Sequence, residues 1–310
     1  MLTILFGFGT SVGYALHDFL MVKVVRAVSV WAGLTWSMGT ALVILLPLAL
    51  VLDGLPAGGA EWRAAGFGVF SGLAEAAGLA ALLRGLVVGR LAVVTPLASL
   101  SGGFAALVMI LRGEPVSALL AAGLVLAVAG GMLASIERVP EEEVFGPDPA
   151  ADAGGAGGTA GPGARPVAQP ARRTRATAGA GWALFSAVLF GIAMLLLAEA
   201  SAITPVSLAA CGRIGTVVVM LPVALLLRGV RLPRPLAKRS VAAGCFDAVA
   251  FVCMAAAVTI GPVAVASVMS AQGGLVAAVL GFVFLHERLT RVQYVGIALT
   301  CAAVAFLAAG

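Results

Sequence analysis

The chain has 310 residues, of which 61% are hydrophobic and 11% are charged. A soluble domain carries roughly 25% charged residues, so this composition excludes a water-soluble globular fold. The net formal charge is +5, but no basic cluster alternates with aromatic residues, which argues against a nucleic-acid partner. In a membrane protein, an excess of arginine instead reports how the loops are distributed between the two sides.

Ten apolar stretches of about 20 residues follow one another along the chain. Each is long enough to cross the ~30 Å hydrocarbon core as a helix, and their continuous apolar pattern favours helices over a β-barrel. The first has no basic leading region, so it predicts a retained helix rather than a cleaved signal. The predicted spans are 3–22, 29–52, 63–83, 89–111, 116–136, 180–200, 204–228, 240–260, 262–285 and 291–309.

The only long polar segment, residues 137–178, separates the fifth span from the sixth. It is rich in Gly, Ala and Pro, a composition that cannot bury enough apolar surface to fold. We therefore predict a disordered linker between a first repeat, residues 1–136, and a second repeat, residues 179–310.

The two halves repeat each other at a nearly constant interval along the sequence. Five spans per half place the second half upside down relative to the first, which is the inverted-repeat plan of many secondary transporters. The predicted fold class is an all-α polytopic membrane protein of ten transmembrane helices in two inverted five-helix repeats. The matched pairs are Gly72 with Gly244, Glu75 with Asp247, Gly89 with Gly261, Glu114 with Glu287, and Gly123 with Gly296.

Most basic residues lie in the loops on one side of the predicted bundle. Loops 1–2, 3–4, 5–6, 7–8 and 9–10 hold sixteen Lys and Arg residues, whereas the opposite loops hold only Arg63 and Arg112. The positive-inside rule then predicts a cell-membrane protein with a cytoplasmic linker and both termini outside.

The helix 9–10 region reads Ser-Val-Met-Ser-Ala-Gln-Gly-Gly (267–274), then Leu-His-Glu-Arg-Leu-Thr (285–290) and Gln293-Xaa-Xaa-Gly296. With Gly113-Glu114 in the first half and Arg213 in the seventh span, the chain resembles the EamA-type family of the drug/metabolite transporter superfamily, except over its linker. The resemblance implies transport of small organic metabolites or drugs without a cofactor.

Three features depart from that family's pattern. Gly102 and Gly274 stand where the family usually has proline, and His286 stands where it usually has glycine. The family also usually keeps both termini in the cytoplasm, which is opposite to the side that the charge distribution predicts.

Glu75 and Asp247 are the candidate proton-coupling residues. An ionisable group inside a bilayer costs at least about 2.5 kcal/mol, so each is retained for a reason. Gly68, Gly72 and Glu75 share one helix face, where a neighbouring helix or a cavity can approach. The alternative is that each acid is neutral and hydrogen-bonded to an adjacent helix as packing.

Arg213 is a candidate substrate-binding residue, because its guanidinium can hold a carboxylate or a phosphate through two hydrogen bonds. The alternative is an ion pair with Glu199 or Asp18, or a position at the level of the lipid headgroups. His17 and Asp18 are candidates for a gate or a proton relay, with an interfacial role as the alternative.

Polar residues on two small-residue faces complete the candidate substrate site. Thr95, Ser99, Gly102 and Ala106 mark one face of the fourth span, and Ser267, Ser270, Gly274 and Ala278 mark one face of the ninth. Such faces also serve close helix packing. The candidate contacts are Ser99, Ser270, Gln272 and Trp36.

Glu114 and Glu287 each follow an apolar span at a turn between helices. We expect both to cap helices, since an acid is stabilised at a positive helix end and Pro115 suits a first helical position.

Together these features predict a secondary transporter that binds its substrate centrally, works by alternating access and is driven by protons. The expected partners are a small molecule and the lipid bilayer, with the chain a monomer or homodimer. No phosphate-binding loop is present, which disfavours ATP-driven pumping, and no enzyme or metal motif appears. The alternatives are an intramembrane enzyme or a non-transporting scaffold or sensor. Four cysteines are expected to pack between helices: Cys211, Cys245, Cys253 and Cys301.

Overall fold

The computed structural model describes residues 1–27, 30–88, 91–135, 179–200, 202–226, 232–284 and 290–309. All regular structure in these residues is helical. The helices are α1 (Leu2–Ala27), α2 (Val30–Leu52), α3 (Gly59–Val88), α4 (Leu91–Ala98), α5 (Ser101–Leu111), α6 (Ala118–Ala134), α7 (Ala180–Ala198), α8 (Pro205–Leu226), α9 (Arg234–Ile260), α10 (Val263–Ser270), α11 (Gly273–Phe284) and α12 (Arg291–Ala309). The predicted linker, Gly89 and Glu287 lie outside the described residues.

The predicted spans are confirmed, with the fourth and ninth each divided into two helices. Helices α4 and α5 form the fourth span, and α10 and α11 form the ninth. Helix α5 begins at Ser101 and α11 at Gly273, which are separated by the same interval as Gly72 and Gly244, so the break belongs to the repeat. The glycines that stand in place of the family's usual proline, Gly102 and Gly274, are the second residues of α5 and α11. The first break follows Pro96, whereas the second forms without a proline.

The helices suit a bilayer in length and composition. Seven apolar stretches in the described residues are long enough to cross a membrane, and two shorter ones span Pro96–Leu111 and Ala118–Ala134. Helix α1 has 26 residues but carries His17 and Asp18. The chain is an all-α polytopic membrane protein.

Helix packing follows a twofold exchange of the two halves. The repeat relates α1 to α7, α2 to α8, α3 to α9 and α6 to α12. Accordingly α1 packs on α9 while α7 packs on α3, and α2 packs on α9 while α8 packs on α3. The self-related pairs α2–α8 and α6–α12 also pack directly. The halves therefore interleave, and α2, α3, α8 and α9 surround the centre.

Two repeat-related glycines permit close helix crossings at that centre. A Cβ at Gly72 of α3 would collide with the backbone of Gly212 in α8, and a Cβ at Gly244 of α9 would collide with the backbone of Ser37 in α2. Because only glycine permits such crossings, the residues beside them are held where the two halves meet.

Loops 2–3, 4–5, 6–7 and 8–9 lie on one side of the bundle, as predicted. Arg112 Nη1 lies 2.5 Å from Glu199 Oε1, which joins loop 4–5 to the end of α7. Asp53 Oδ2 accepts hydrogen bonds of 2.5 Å from Thr204 Oγ1 and Ser207 Oγ, which joins loop 2–3 to the start of α8. Both contacts bridge the two halves.

The expected role of Pro115 was wrong. Helix α6 begins at Ala118, and Ser117 Oγ caps it by accepting a hydrogen bond of 3.1 Å from Leu120 N. Gly113, with a φ of 97°, turns the chain sharply after α5. Glu114 therefore reaches a different helix end, described below.

Candidate functional site

The centre of the bundle holds Arg213, whose side chain is completely buried. Its Nη1 donates a hydrogen bond of 2.7 Å to Glu75 Oε2, and its Nη2 donates one of 3.0 Å to Asp247 Oδ1. Its Nε lies 2.9 Å from Asp247 Oδ2, but neither of these two atoms satisfies hydrogen-bond geometry. That second contact is therefore electrostatic. One guanidinium joins the two repeat-related carboxylates.

Three further side chains complete the surroundings of the guanidinium. Tyr14 accepts a hydrogen bond of 3.2 Å from Arg213 Nη2, and Thr216 Oγ1 lies 3.3 Å from Glu75 Oε2. The ring of Phe251 lies 4.0 Å from Arg213 Cζ, a cation–π contact. A guanidinium has five donors and no acceptor, and these neighbours satisfy it on several sides. Arg213 is therefore held by ion pairs, as its alternative interpretation expected.

The partners suggested for Arg213 were wrong. Glu199 pairs instead with Arg112, and Asp18 accepts a contact of 2.8 Å from His17 Nδ1. Both acids lie away from the bundle centre, Glu199 at the end of α7 and Asp18 with 75% of its side chain exposed. Neither reaches a guanidinium buried at a helix crossing.

Arg213 has no basic counterpart in the first repeat. The dipeptide Gly39-Thr40 in α2 also occurs as Gly215-Thr216 in α8, and this correspondence sets the register between the two helices. Ser37 is the counterpart of Arg213, because each stands two positions before the glycine of that match. Ser37 Oγ lies 2.9 Å from His17 Nε2. Two carboxylates thus share one guanidinium, and their ionised forms leave one negative charge in excess.

A cavity of about 270 Å³ opens beside this cluster. Glu75, with 14% of its side chain exposed, and Asp247, with 2% exposed, both line it. Leu34 near the start of α2 and Leu82 near the end of α3 also line it. The cavity therefore extends from the centre toward the side of loops 1–2 and 3–4.

His17 and Asp18 lie on the wall of this cavity. His17 is buried, with one ring nitrogen on Asp18 and the other on Ser37. Asp18 is exposed, so the pair connects the cavity wall with its mouth.

The serines predicted to bind substrate differ in position. Ser270 lines the cavity, and its buried hydroxyl has no hydrogen-bond partner among the described residues. Ser99 Oγ instead donates a hydrogen bond of 2.7 Å to Pro96 O at the end of α4. Its neighbour Ser101 lines the cavity. The side chain of Thr95 lies outside the described residues.

Two predicted substrate contacts do not line the cavity. Trp36 is 38% exposed on the outside of α2. Gln272 is buried against α6, where its Nε2 donates hydrogen bonds of 3.0 Å to Ala127 O and 3.1 Å to Val268 O. Because Gln272 satisfies backbone groups beside the break in the ninth span, it acts there as a packing residue.

Several residues of the site were missed by the sequence analysis. Tyr14, Ser37, Thr216 and Phe251 all contact the charged cluster or its neighbours. Only Tyr14 had a sequence feature that could have indicated a role in the site, because it is one of two tyrosines in the chain and stands three residues before His17.

Glu114 caps a helix of the other half. Its Oε1 and Oε2 accept from Ala264 N at 3.2 Å and 3.4 Å, at the start of α10. Burial raises the pKa of Glu114 above its ordinary value, and hydrogen bonds from the amides of Ala264 and Val263 offset part of that rise. The expectation of a cap is confirmed, and the capped helix is α10 rather than α6.

Comparison with known proteins relates the fold to a solved structure and the second half of the chain to a transporter family. A crystal structure described only as a protein superposes with a TM-score of 0.72 at 16% identity, covering 99% of this chain and 98% of that chain. At that identity the likeness establishes the fold alone. No curated protein matches the chain. Residues 177–309 match the model of the EamA-like transporter family. The second half of this chain is therefore similar to the EamA-like transporter family of the drug/metabolite transporter superfamily.

Proposed function

We propose that the protein is a secondary active transporter that moves a small organic molecule by alternating access and is coupled to protons. The observation that carries the proposal is the cluster of Glu75, Arg213 and Asp247, whose two carboxylates line a cavity between the two repeats. Ligand sites of inverted-repeat transporters lie at that midplane position.

Proton coupling follows from the charge balance of the cluster. Two ionised carboxylates against one guanidinium leave one uncompensated negative charge among apolar helices, which is costly in a medium of low dielectric constant. One proton removes the excess. Glu75 is the better placed to exchange it, because Glu75 is partly exposed to the cavity whereas Asp247 is enclosed.

Alternating access is supported by the contrast between the two ends of the bundle. The cavity extends toward loops 1–2 and 3–4. On the opposite side, Arg112 with Glu199, and Glu114 with the start of α10, bridge the halves. We interpret the structure as the state that is open on the side of loops 1–2 and 3–4.

The basic loops orient this state in a cell membrane. Since loops 1–2 and 3–4 share the side rich in arginine and lysine, we propose that the cavity is open to the cytoplasm and that both termini lie outside. This orientation is opposite to the usual one of the resembled family.

Flux measurements in liposomes test the proposal. The purified full-length chain is reconstituted with a pH-sensitive dye in the lumen and challenged with pools of amines, amino acids, organic acids and nucleosides. We expect one pool to elicit a chain-dependent proton flux, which Glu75→Gln and Asp247→Asn abolish. Glu61→Gln is the matched control, since Glu61 lies in the first turn of the same helix and contacts Ala57 N.

Two outcomes contradict the proposal. Coupled flux that survives both Glu75→Gln and Asp247→Asn excludes these carboxylates as the proton site. Substrate flux that ignores the pH gradient excludes proton coupling altogether.

A further inference from the structure

We propose that the central cavity binds an organic monocation, a primary amine on a compact apolar or aromatic body, in exchange for the proton. This inference rests on the proposed transport function and names the substrate class of the same site.

The first argument is the sign of the charge that a ligand meets. Three carboxylates line the cavity, those of Asp18, Glu75 and Asp247. The nearest guanidinium, that of Arg213, is fully buried behind Glu75 and Asp247 and is not part of the wall. The described cavity wall is therefore acidic in net charge, which favours a cation.

The other titratable groups at the cavity do not reverse this sign. Both face it from α1. His17 is paired with Asp18, so a cationic His17 offsets only that one carboxylate, and the hydroxyl of Tyr14 accepts a hydrogen bond from Arg213.

The second argument is the hydrogen-bonding capacity left open. Ser270 Oγ is buried on the cavity wall and has no hydrogen-bond partner among the described residues. Glu75 lines the same cavity and is partly exposed to it. An ammonium group offers three donors and no acceptor, so it suits a wall that presents a hydroxyl and a carboxylate.

The third argument is the character of the remaining wall. Three methionines, Met38, Met194 and Met254, line the cavity together with the aromatic rings of Phe190 and Phe251. Thioethers and ring faces adapt to aromatic and aliphatic bodies, and ring faces also attract cations. A volume of about 270 Å³ limits the ligand to a small body.

The same geometry disfavours anions and amino acids. A carboxylate on the ligand requires a cation, and both carboxylate-binding sides of Arg213 are occupied by Glu75 and Asp247. An amino acid places its ammonium well but brings a second charge that lacks a partner. Its affinity is expected to fall at least about tenfold below that of the corresponding amine, as for a buried polar group left unpaired.

Exchange follows from the charge count. The cluster carries one excess negative charge, which either one proton or one monocation neutralises. Binding of the amine thus requires the deprotonated site and releases a proton when the site was protonated. Amine and proton are carried in opposite directions, one for one.

Four probes with a shared phenyl body test the inference: 2-phenylethylamine, phenylalanine, 3-phenylpropionate and 2-phenylethanol. Calorimetric titration of the purified full-length chain in detergent, in two buffers of different ionisation enthalpy, gives affinity and the number of protons released. We expect the amine to bind most tightly, to release up to one proton and to weaken about tenfold per pH unit on the acid side of the site's titration. Glu75→Gln abolishes binding, and Glu61→Gln leaves it unchanged.

The inference and the proposed function fail separately. Binding of phenylalanine or 3-phenylpropionate as tight as that of the amine overturns the substrate class. Amine binding without any pH dependence in the wild-type chain overturns the exchange, whatever the fate of the Glu75 variant. Absence of binding by all four probes to a chain with an intact thermal transition also overturns the amine site. Proton-coupled flux of an anion in liposomes would support the transport function and contradict the amine substrate class.

Discussion

Arg213 Nη1 lies 2.7 Å from Glu75 Oε2, so a buried ion pair joins the second half of the chain to the first. Asp247, on the same half as Arg213, holds the guanidinium from the other side. In the proposed alternating-access cycle, the two halves move against each other. This contact lies where α3 and α8 cross at Gly72 and Gly212, and a crossing point is the part of a rocking bundle that shifts least. Under the proposed mechanism, the charged cluster is therefore expected to stay in place in both end states.

Loss of the guanidinium is expected to destabilise the fold strongly. Arg213→Met leaves two buried carboxylates without a cation, and breaking a buried pair costs roughly 3–5 kcal/mol. Thermal unfolding of the purified chain in detergent, followed by tryptophan fluorescence, measures the change. Arg213→Met/Asp247→Asn is expected to recover part of the loss, because one of the two uncompensated charges is then absent.

The exposed pair provides the matched control for that experiment. Arg112→Met breaks the contact with Glu199, whose two side chains are 54% and 42% exposed. Such surface pairs contribute about 0–1 kcal/mol. Equal losses for Arg112→Met and Arg213→Met would show that the central pair does not hold the halves together.

The equivalence of Glu75 and Asp247 followed from sequence because the repeat interval is a property of the chain alone. The shared face of Gly68, Gly72 and Glu75 also followed, since helix geometry fixes which residues point the same way. A Cβ at either glycine would contact α8, as the face predicted. The spacing of residues along α3 was therefore sufficient to place Glu75 on the helix face that contacts α8.

The partners of Arg213 could not be obtained in this way. Glu199 is a candidate partner in the sequence because it stands only one loop before Arg213, whereas the true partners stand 138 and 34 residues away. Contacts between helices depend on the rotation of each helix about its axis and on which helices cross. Trp36 and Gln272 were misplaced for the same reason, since both are polar or amphipathic residues in the right span but on the wrong face.

A methyl group at the central crossing is expected to disrupt the bundle. Gly72→Ala places a Cβ against the backbone of Gly212, and backbone cannot rotate away, so overpacking of about 1–3 kcal/mol is expected. Gly66→Ala in the same helix meets no atom within 4 Å and is expected to be neutral or to stabilise by up to about 1 kcal/mol. Thermal unfolding in detergent compares the two, and a Gly72→Ala chain as stable as Gly66→Ala would contradict the close crossing.

Removal of the acid that caps α10 is expected to weaken the closed end of the bundle. Glu114→Ala removes the acceptor for Ala264 N and is expected to cost roughly 1 kcal/mol, as for other helix caps. Glu114→Gln keeps an acceptor oxygen, so it is expected to retain most of the stability. If both variants unfold at the wild-type temperature, the contact between Glu114 and α10 does not stabilise the structure.

The orientation in the membrane has its own test through single exposed cysteines. In a chain whose native cysteines are replaced by serine, Ala57→Cys lies in loop 2–3 and Lys238→Cys lies in the first turns of α9, both at exposed positions. These positions are on opposite sides of the bundle.

Because the basic loops predict that the Lys238 side is cytoplasmic, a membrane-impermeant maleimide added to intact cells is expected to label Ala57→Cys. Lys238→Cys should react only after permeabilisation. The reverse pattern would place both termini in the cytoplasm and turn the open cavity outward, while leaving the charged cluster and its proposed exchange reaction as they are.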